Sequence, residues 1–460
     1  MNNNKSFIPN IVTLIFVSWM AIISSFLSLK PDLILRPIFF ISLVLVPSFI
    51  FCLSDYLAYP LFVYTYILRR FLVLYDTYIS TYVVYFLATI IVIKIFLKGR
   101  MIKSSLLKLL AFILAIAGYD LFIKLAIDNE NVLYEPFQNF ILNFSSMWTH
   151  TFISILVGYY YFSYVRLKYQ KDRKIEILFL ISMVSANIAY LSFLLFRVAP
   201  LQRSVWIAEV IGFDTTSYTR VDPNFYIFDV LFLSLVFLRK TRNILIVLLI
   251  CSILNTLYLN STSGFISIFL ILFFIITRRK TIDTYLVILL VIAIVLPVSF
   301  WYNYITKYSQ IINQAITYSR NLLDIVFTGR IHKFIGYIQM IMDYPMGLGR
   351  DNAFRFTTKY IGYYTYAHNL YLQILADHGI VVGALLILYI FKDFRRVWSI
   401  RKNEPHLFVA YLLFLIVGMA LSTNYSIPMY YLLTMQFAKG GKKYENSYSL
   451  STQELRLQDL

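Results

Sequence analysis

Charge is scarce in this chain. Only 14% of its 460 residues are Asp, Glu, Lys or Arg, and 60% are hydrophobic, whereas a soluble domain carries about 25% charged residues. A water-soluble fold of that composition would expose more apolar surface than monomeric proteins tolerate, which excludes the soluble-enzyme and disordered classes. Cysteine is nearly absent. Cys52 and Cys251 each sit inside an apolar run, so neither a disulfide scaffold nor a cysteine zinc site is in play. Internal repeats and low-complexity segments are lacking. Acidic residues are the scarcer sign, 23 against 41 Lys and Arg, for a net charge of +18. In a soluble protein that excess would suggest nucleic acid. Here topology explains most of it, because cytoplasmic loops of membrane proteins collect Lys and Arg, and no nucleic-acid partner is expected. The composition is that of an integral membrane protein.

A helix needs about 20 mostly apolar residues to cross the hydrocarbon layer. Apolar runs predict spans at 9–29, 37–54, 56–75, 78–97, 104–125, 147–166, 176–196, 225–238, 243–260, 264–277, 284–301, 370–391, 407–422 and 428–438. The first run has no small-residue cleavage site and reads as a retained helix. Basic clusters such as Lys168/Lys171/Arg173/Lys174, Arg278/Arg279/Lys280 and Lys439/Lys442/Lys443 follow alternate spans, which assigns them to the cytoplasm. The expectation is an all-α, polytopic bundle of 12–14 spans over 1–438, both termini cytoplasmic, with a polar cytoplasmic tail at 439–460.

Three segments then fall outside: 126–146, 197–224 and 302–369. The last is much the longest, and loops of that length are seldom without a function. After Gly329, Ile331, Phe334, Ile335, Ile338, Ile341 and Met342 recur at helical spacing and predict an amphipathic helix on the membrane surface. Pro345 ends it, and Gly347-Leu348-Gly349 makes a turn. This segment holds Lys307, Arg320, Arg330, Lys333, Arg350, Arg355 and Lys359 against Asp324, Asp343 and Asp351. That positive excess opposes the positive-inside trend. Arginine suits phosphate, because its planar fork donates paired hydrogen bonds and keeps its charge when desolvated. An outer face built to receive an anion is the functional reading; contact with lipid headgroups or solvent is the plain one.

Three short patterns stand out. Arg220-Val221-Asp222-Pro223-Asn224 precedes a span, where Asp-Pro-Asn is either only a helix cap or a frame in which Asp222 and Asn224 orient Arg220. Thr328-Gly329-Arg330 puts Arg330 in the first turn of the surface helix, where the helix end already favours anions. His368-Asn369 stands at the mouth of the next span, with Gly379 following after nine residues. His332 falls on the polar side of the surface helix. Asp120, Lys124 and Asp229 lie in or near spans, where ionisable groups are functional suspects; Asp120 and Lys124, four residues apart, are spaced to neutralise each other. His378 reads as structural.

Over roughly 220–425 the chain resembles the O-antigen polymerase/ligase superfamily (Wzy and WaaL) of bacterial envelope glycosyltransferases. The resemblance rests on R-x-D-P-N at 220–224, the Asn260-Ser261-Thr262-Ser263-Gly264 turn, T-G-R at 328–330, Pro345…Gly347-x-Gly349 and His368-Asn369…Gly379, in that order. One departure is plain. Where the ligase pattern has Gly, Thr or Tyr three residues after the glycine, this chain has Val382, with Gly383 one later. The resemblance implies a GT-C-like, inverting, metal-independent and cofactor-free transferase acting on undecaprenyl-pyrophosphate-linked glycans. It implies that Arg220 and Arg330 engage the pyrophosphate, with His368 assisting the acceptor hydroxyl. Asp222, Asn224, Arg350 and Asn369 are the expected substrate-binding residues beside them. Membrane lipid and a chain-length-determining co-polymerase are the further partners expected on this reading.

The chemistry stands without the family. A sugar pyrophosphate carries its own leaving group once developing charge is stabilised, which preorganised arginines do. Neutral histidine is the usual general base near pH 7. The expected function is a polysaccharide polymerase. Alternatives are a ligase moving finished glycan to lipid A-core and a flippase for lipid-linked oligosaccharide, which would keep its charges in a central cavity.

Overall fold

The computed structural model describes residues 12–23, 45–50, 104–131, 137–165, 177–186, 330–350, 352–362, 365–392 and 405–419, with scattered single positions. All regular structure among the described residues is helical. In chain order the helices are α1 (Val12–Ile23), α2 (Ser104–Asn131), α3 (Phe137–Tyr160), α4 (Ile177–Ala186), α5 (Arg330–Asp343), α6 (Asn352–Ile361), α7 (Leu370–Lys392) and α8 (Pro405–Gly418). A π turn at Tyr161–Val165 extends α3.

Two of these helices are long and apolar enough to cross a bilayer: Ser104–Ile127 of α2, at 24 residues, and α7, at 23. They answer the spans expected at 104–125 and 370–391. Helices α1 and α4 fall inside the runs at 9–29 and 176–196, and α8 begins two residues ahead of the run at 407–422. Of the span expected at 37–54, residues 41–42 and 45–50 are described and helical; those at 56–75, 78–97, 225–238, 243–260, 264–277, 284–301 and 428–438 lie wholly or mostly outside the described residues. Segments 197–224 and 302–329 and the tail at 439–460 lie outside them as well.

Two sequence expectations need correcting. Segment 126–146, left between the expected spans at 104–125 and 147–166, is mostly helix: α2 runs on to Asn131 and α3 starts at Phe137, leaving only 132–136 between them. Asn129, Glu130, Gln138 and Asn139 shorten the apolar run without breaking a helix. Pro136 stands just ahead of α3, where proline is tolerated. Second, 330–369 is not one surface helix followed by loop. Helix α5 begins at Arg330 as expected, but α6 follows it, and both pack on α7. Their shared core is Tyr337, Met340, Ile341, Leu348, Ala353, Ile361, Ala367 and Ala376. The apolar positions of α5 therefore divide between two faces. Tyr337, Met340 and Ile341 turn inward, while Ile335, Ile338 and Met342 stay exposed.

Local chemistry explains each boundary. Helix α5 ends where Pro345, lacking an N–H, cannot continue it. The N–H of Asn352 donates to the Gly349 carbonyl (3.1 Å) as α6 begins, and Gly362, at φ 88°, closes α6 by donating to Thr358 (3.0 Å). Asn369 caps α7: its Oδ1 accepts from the N–H of Tyr371 (3.0 Å) and of Leu372 (3.1 Å).

Candidate functional site

Helix α7 is broken at Gly379, whose backbone sits at φ 76° and ψ 173°. In an intact helix the Ile380 N–H would bond to Ala376 and the next N–H to Asp377. Here the Ile380 N–H donates to the Pro345 carbonyl (2.8 Å). The Ala376 and Asp377 carbonyls accept instead from Leu348 (3.0 Å) and Gly349 (2.7 Å). The 344–350 turn thus replaces the bonds that the break removes. Unsatisfied backbone groups cost several kcal/mol in hydrocarbon, so irregular backbone there must be covered by protein, and this turn is the cover. Glycine is required on both sides. A Cβ on Gly379 would stand 2.4 Å from the Met346 carbonyl, and one on Gly347 would stand 2.3 Å from the Gly379 nitrogen. On the α2 side, the Tyr119 hydroxyl donates to the Met346 carbonyl (2.6 Å).

Beneath the turn lies a buried polar cluster. Asp120 Oδ1 is 2.7 Å from His378 Nδ1, and its Oδ2 accepts from the Arg350 N–H at 3.3 Å. A carboxylate only accepts, so Nδ1 carries the proton. Arg350 is 3% exposed. Its guanidinium donates to Thr151 Oγ1 (2.8 Å) and lies 5.2 Å from the Trp148 ring centre. Helices α2, α3 and α7 therefore grip the turn together. Asp120 thus ties α7, through His378, to the turn, through the Arg350 N–H.

The segment leading into α7 is braced by side chains from three helices. Tyr337 of α5 donates its hydroxyl to the Thr365 carbonyl (3.0 Å), and Thr357 Oγ1 of α6 accepts from the Thr365 N–H (3.1 Å). Gln373 of α7 accepts from the Ala367 N–H through Oε1 (3.1 Å) and donates Nε2 to Asp377 (3.1 Å). Tyr337, Thr357, Gln373 and Asp377 are all buried. The next residue, His368, is half-buried and holds φ 51°, the one positive φ on a non-glycine among the described residues. The left-handed region costs an ordinary residue roughly 1–2 kcal/mol, and such strain persists where surroundings over-determine it. The three braces are those surroundings.

The expected site residues separate into groups. His368 and Asn369 stand together at the start of α7. Asn369 is committed to the cap, and its Nδ2 donates to the Met419 carbonyl (3.3 Å), tying α7 to α8. Arg330 opens α5, and that end of α5 lies beside the end of α6, where His332 Nε2 is 3.3 Å from the Ile361 carbonyl. Arg350 is at the other end of α5, roughly 20 Å away along the 14-residue helix. There Arg350 braces the turn against Trp148 and Thr151. Arg220, Asp222 and Asn224 lie outside the described residues. On the exposed side of α6, Tyr360 donates to Asp343 (2.5 Å); burial and that carboxylate hold its phenol well above the ordinary tyrosine range.

Sequence reasoning missed Tyr337, Thr357, Gln373 and the pairing of Asp120 with His378. Only α6 left a usable signal. Asn352 and Gly362 are start and stop residues ten apart, but its buried stripe of Asn352, Ala353, Thr357 and Ile361 is half polar and hides the apolar period.

No curated protein matches the chain. Residues 244–388 match the sequence profile of the family described as O-antigen ligase, a stretch that contains α5, α6, the 344–350 turn, His368 and most of α7. Members of that family are membrane-associated, glycosyltransferase-like enzymes acting on lipid-linked glycans. The matched stretch contains the broken helix and the turn docked into it, and over these residues the chain is similar to the O-antigen polymerase/ligase superfamily.

Proposed function

We propose that the protein is a polymerase of O-antigen or a related surface glycan. It moves the growing chain from undecaprenyl pyrophosphate onto an incoming undecaprenyl-pyrophosphate-linked repeat unit at the periplasmic face of the inner membrane. The acceptor hydroxyl oxygen attacks C1 of the sugar bound to the diphosphate. The C1–O bond breaks, and undecaprenyl pyrophosphate leaves with the electron pair. The hydroxyl proton passes to His368. A single displacement inverts the anomeric centre and needs no protein nucleophile. Arg330, at the N-terminus of α5, and Arg220, framed by Asp222 and Asn224, neutralise the charge growing on the diphosphate. Arg350 and Asn369 serve this site through the turn and the cap. A general base contributes about 10²–10⁴-fold in rate.

The observation that carries the reading is the braced, strained His368. Three buried side chains hold its segment in a conformation that folding alone does not favour. Val382 and Gly383 stand where the ligase pattern would have its closing residue one place earlier, which favours polymerase over ligase.

The test is a deletion strain complemented with the wild-type chain, Arg330→Ala or His368→Ala, with its lipopolysaccharide displayed as a ladder. Polymerase loss leaves single repeats on lipid A-core, and both variants are expected to do so. Ligase loss leaves no repeat on the core. Repeat units retained on the cytoplasmic leaflet would identify a flippase. A full ladder from either variant overturns the assigned chemistry.

A further inference from the structure

Helix α5 is apolar on two opposite faces. Tyr337, Met340 and Ile341 are buried against α6 and α7. On the far side Ile335, Ile338 and Met342, at i, i+3 and i+7, are 50%, 50% and 71% exposed, and Met346 beyond the helix end is 56% exposed. His332, Gln339 and Asp343, at i, i+7 and i+11, are exposed along one edge between the faces. A helix that only covered a protein core would carry polar residues where this stripe lies.

The stripe does not stop at α5. Met346 touches the break in α7, since its carbonyl is the atom nearest a Cβ on Gly379, and the same carbonyl accepts from Tyr119 of α2. Directly past the break, Ile380, Val381, Leu385 and Leu388 of α7 are exposed, as are Phe122 and Leu125 of α2. Both helices have the length and composition of membrane spans, so their exposed apolar positions meet acyl chains. The α5 stripe joins that surface through Met346.

We propose that the outward face of α5, formed by Ile335, Ile338, Met342 and Met346, is sunk among the lipid acyl chains at the membrane boundary. Helix α5 is then an in-plane helix sandwiched between the protein core and the bilayer, with its His332/Gln339/Asp343 edge at headgroup level. Such a contact sets the depth of Arg330, the first residue of α5, at the level where the phosphates of a lipid diphosphate lie. The contact itself does not depend on the transferase reading.

The test uses the full chain with Cys52 and Cys251 replaced by Ser, reconstituted in nanodiscs. Single cysteines at Ile335, Ile338, Met342, Gln339 and, as a span control, Leu388 carry an environment-sensitive fluorophore. Brominated lipids should quench the 335, 338, 342 and 388 reporters several-fold more than the 339 reporter. Aqueous iodide should show the reverse order. Iodide quenching at 338 equal to that at 339 would put the stripe in water and overturn the proposal. Protection of 338 from both quenchers would mean that protein, including a second copy of this chain, covers it, and would overturn it too. Ile338→Glu, read as iodide access at 342, is a second check: a lipid-seated face is lifted by the charge, whereas a water-facing one is not moved.

Discussion

Gln373 offers the sharpest test of how His368 is held. Replacing it with Leu keeps helix propensity and approximate volume but removes both of its hydrogen bonds. The Ala367 N–H and the Asp377 carboxylate, each buried, would lose a partner. An orphaned buried polar group costs about 1–3 kcal/mol, and the segment escapes part of that cost by moving. Moving it shifts His368 out of its left-handed conformation. With 1.4 kcal/mol per tenfold, one such penalty corresponds to a loss of about 5- to 150-fold in transfer rate. The assay is transfer of a lipid-linked repeat unit by purified protein, with KM and the maximal rate separated. The rate should fall while KM for the donor changes little, because the diphosphate contacts are assigned elsewhere. Gln373→Glu retains the acceptor for Ala367 but sets a second carboxylate against Asp377, and should be at least as impaired. The pair Gln373→Glu with Asp377→Asn reverses the side-chain bond, Asn donating to Glu, and keeps the acceptor for Ala367, so it should recover much of the rate. If Gln373→Leu turns over normally while His368→Ala is dead, the bracing argument is wrong although the base remains. If His368→Ala is active, the assignment of the base fails first.

Two further outcomes follow from the broken helix. Gly379→Ala combines a φ of 76° with a Cβ 2.4 Å from the Met346 backbone. Conformation alone costs roughly 1–2 kcal/mol, so the turn should undock, seen as a lower melting temperature and faster protease cleavage in 344–350; an unchanged melt and cleavage rate would contradict the docking. Asp120→Leu leaves His378 and the Arg350 N–H buried without their acceptor, and removing one partner of a buried pair costs about 3–5 kcal/mol. Asp120→Leu with His378→Phe removes both side-chain partners and should regain part of the lost thermal stability, the Arg350 N–H still lacking its acceptor; failure of the double variant to recover at all would show that the pair is not the coupling.

Much of this protein could be read from its sequence, and the reason is physical range. The scarcity of charge, the apolar lengths at 104–125 and 370–391, the start of α5 at Gly329-Arg330 and its stop at Pro345 are local properties. Bilayer thickness, helix capping and the missing proline N–H act within a few neighbouring residues, so a linear text carries them. Helix α6 escaped because its inward stripe uses Asn352 and Thr357. In 126–146 the helices outrun their apolar stretches, so hydropathy alone set the ends too early.

Tertiary structure alone decided what those pieces do to one another. Asp120 and His378 are 258 positions apart, and nothing near either predicts the other. The glycines of 347–349 and Gly379 each announce a turn or a bend. That one supplies the backbone bonds the other has lost follows only from their docking in space. The same holds for Arg350, whose contacts with Trp148 and Thr151 reach across to α3, 199 positions away at Thr151. Hydrogen-bond partners across folded distance are set by which surfaces pack, and packing depends on the shape of all the helices at once rather than on any stretch of chain.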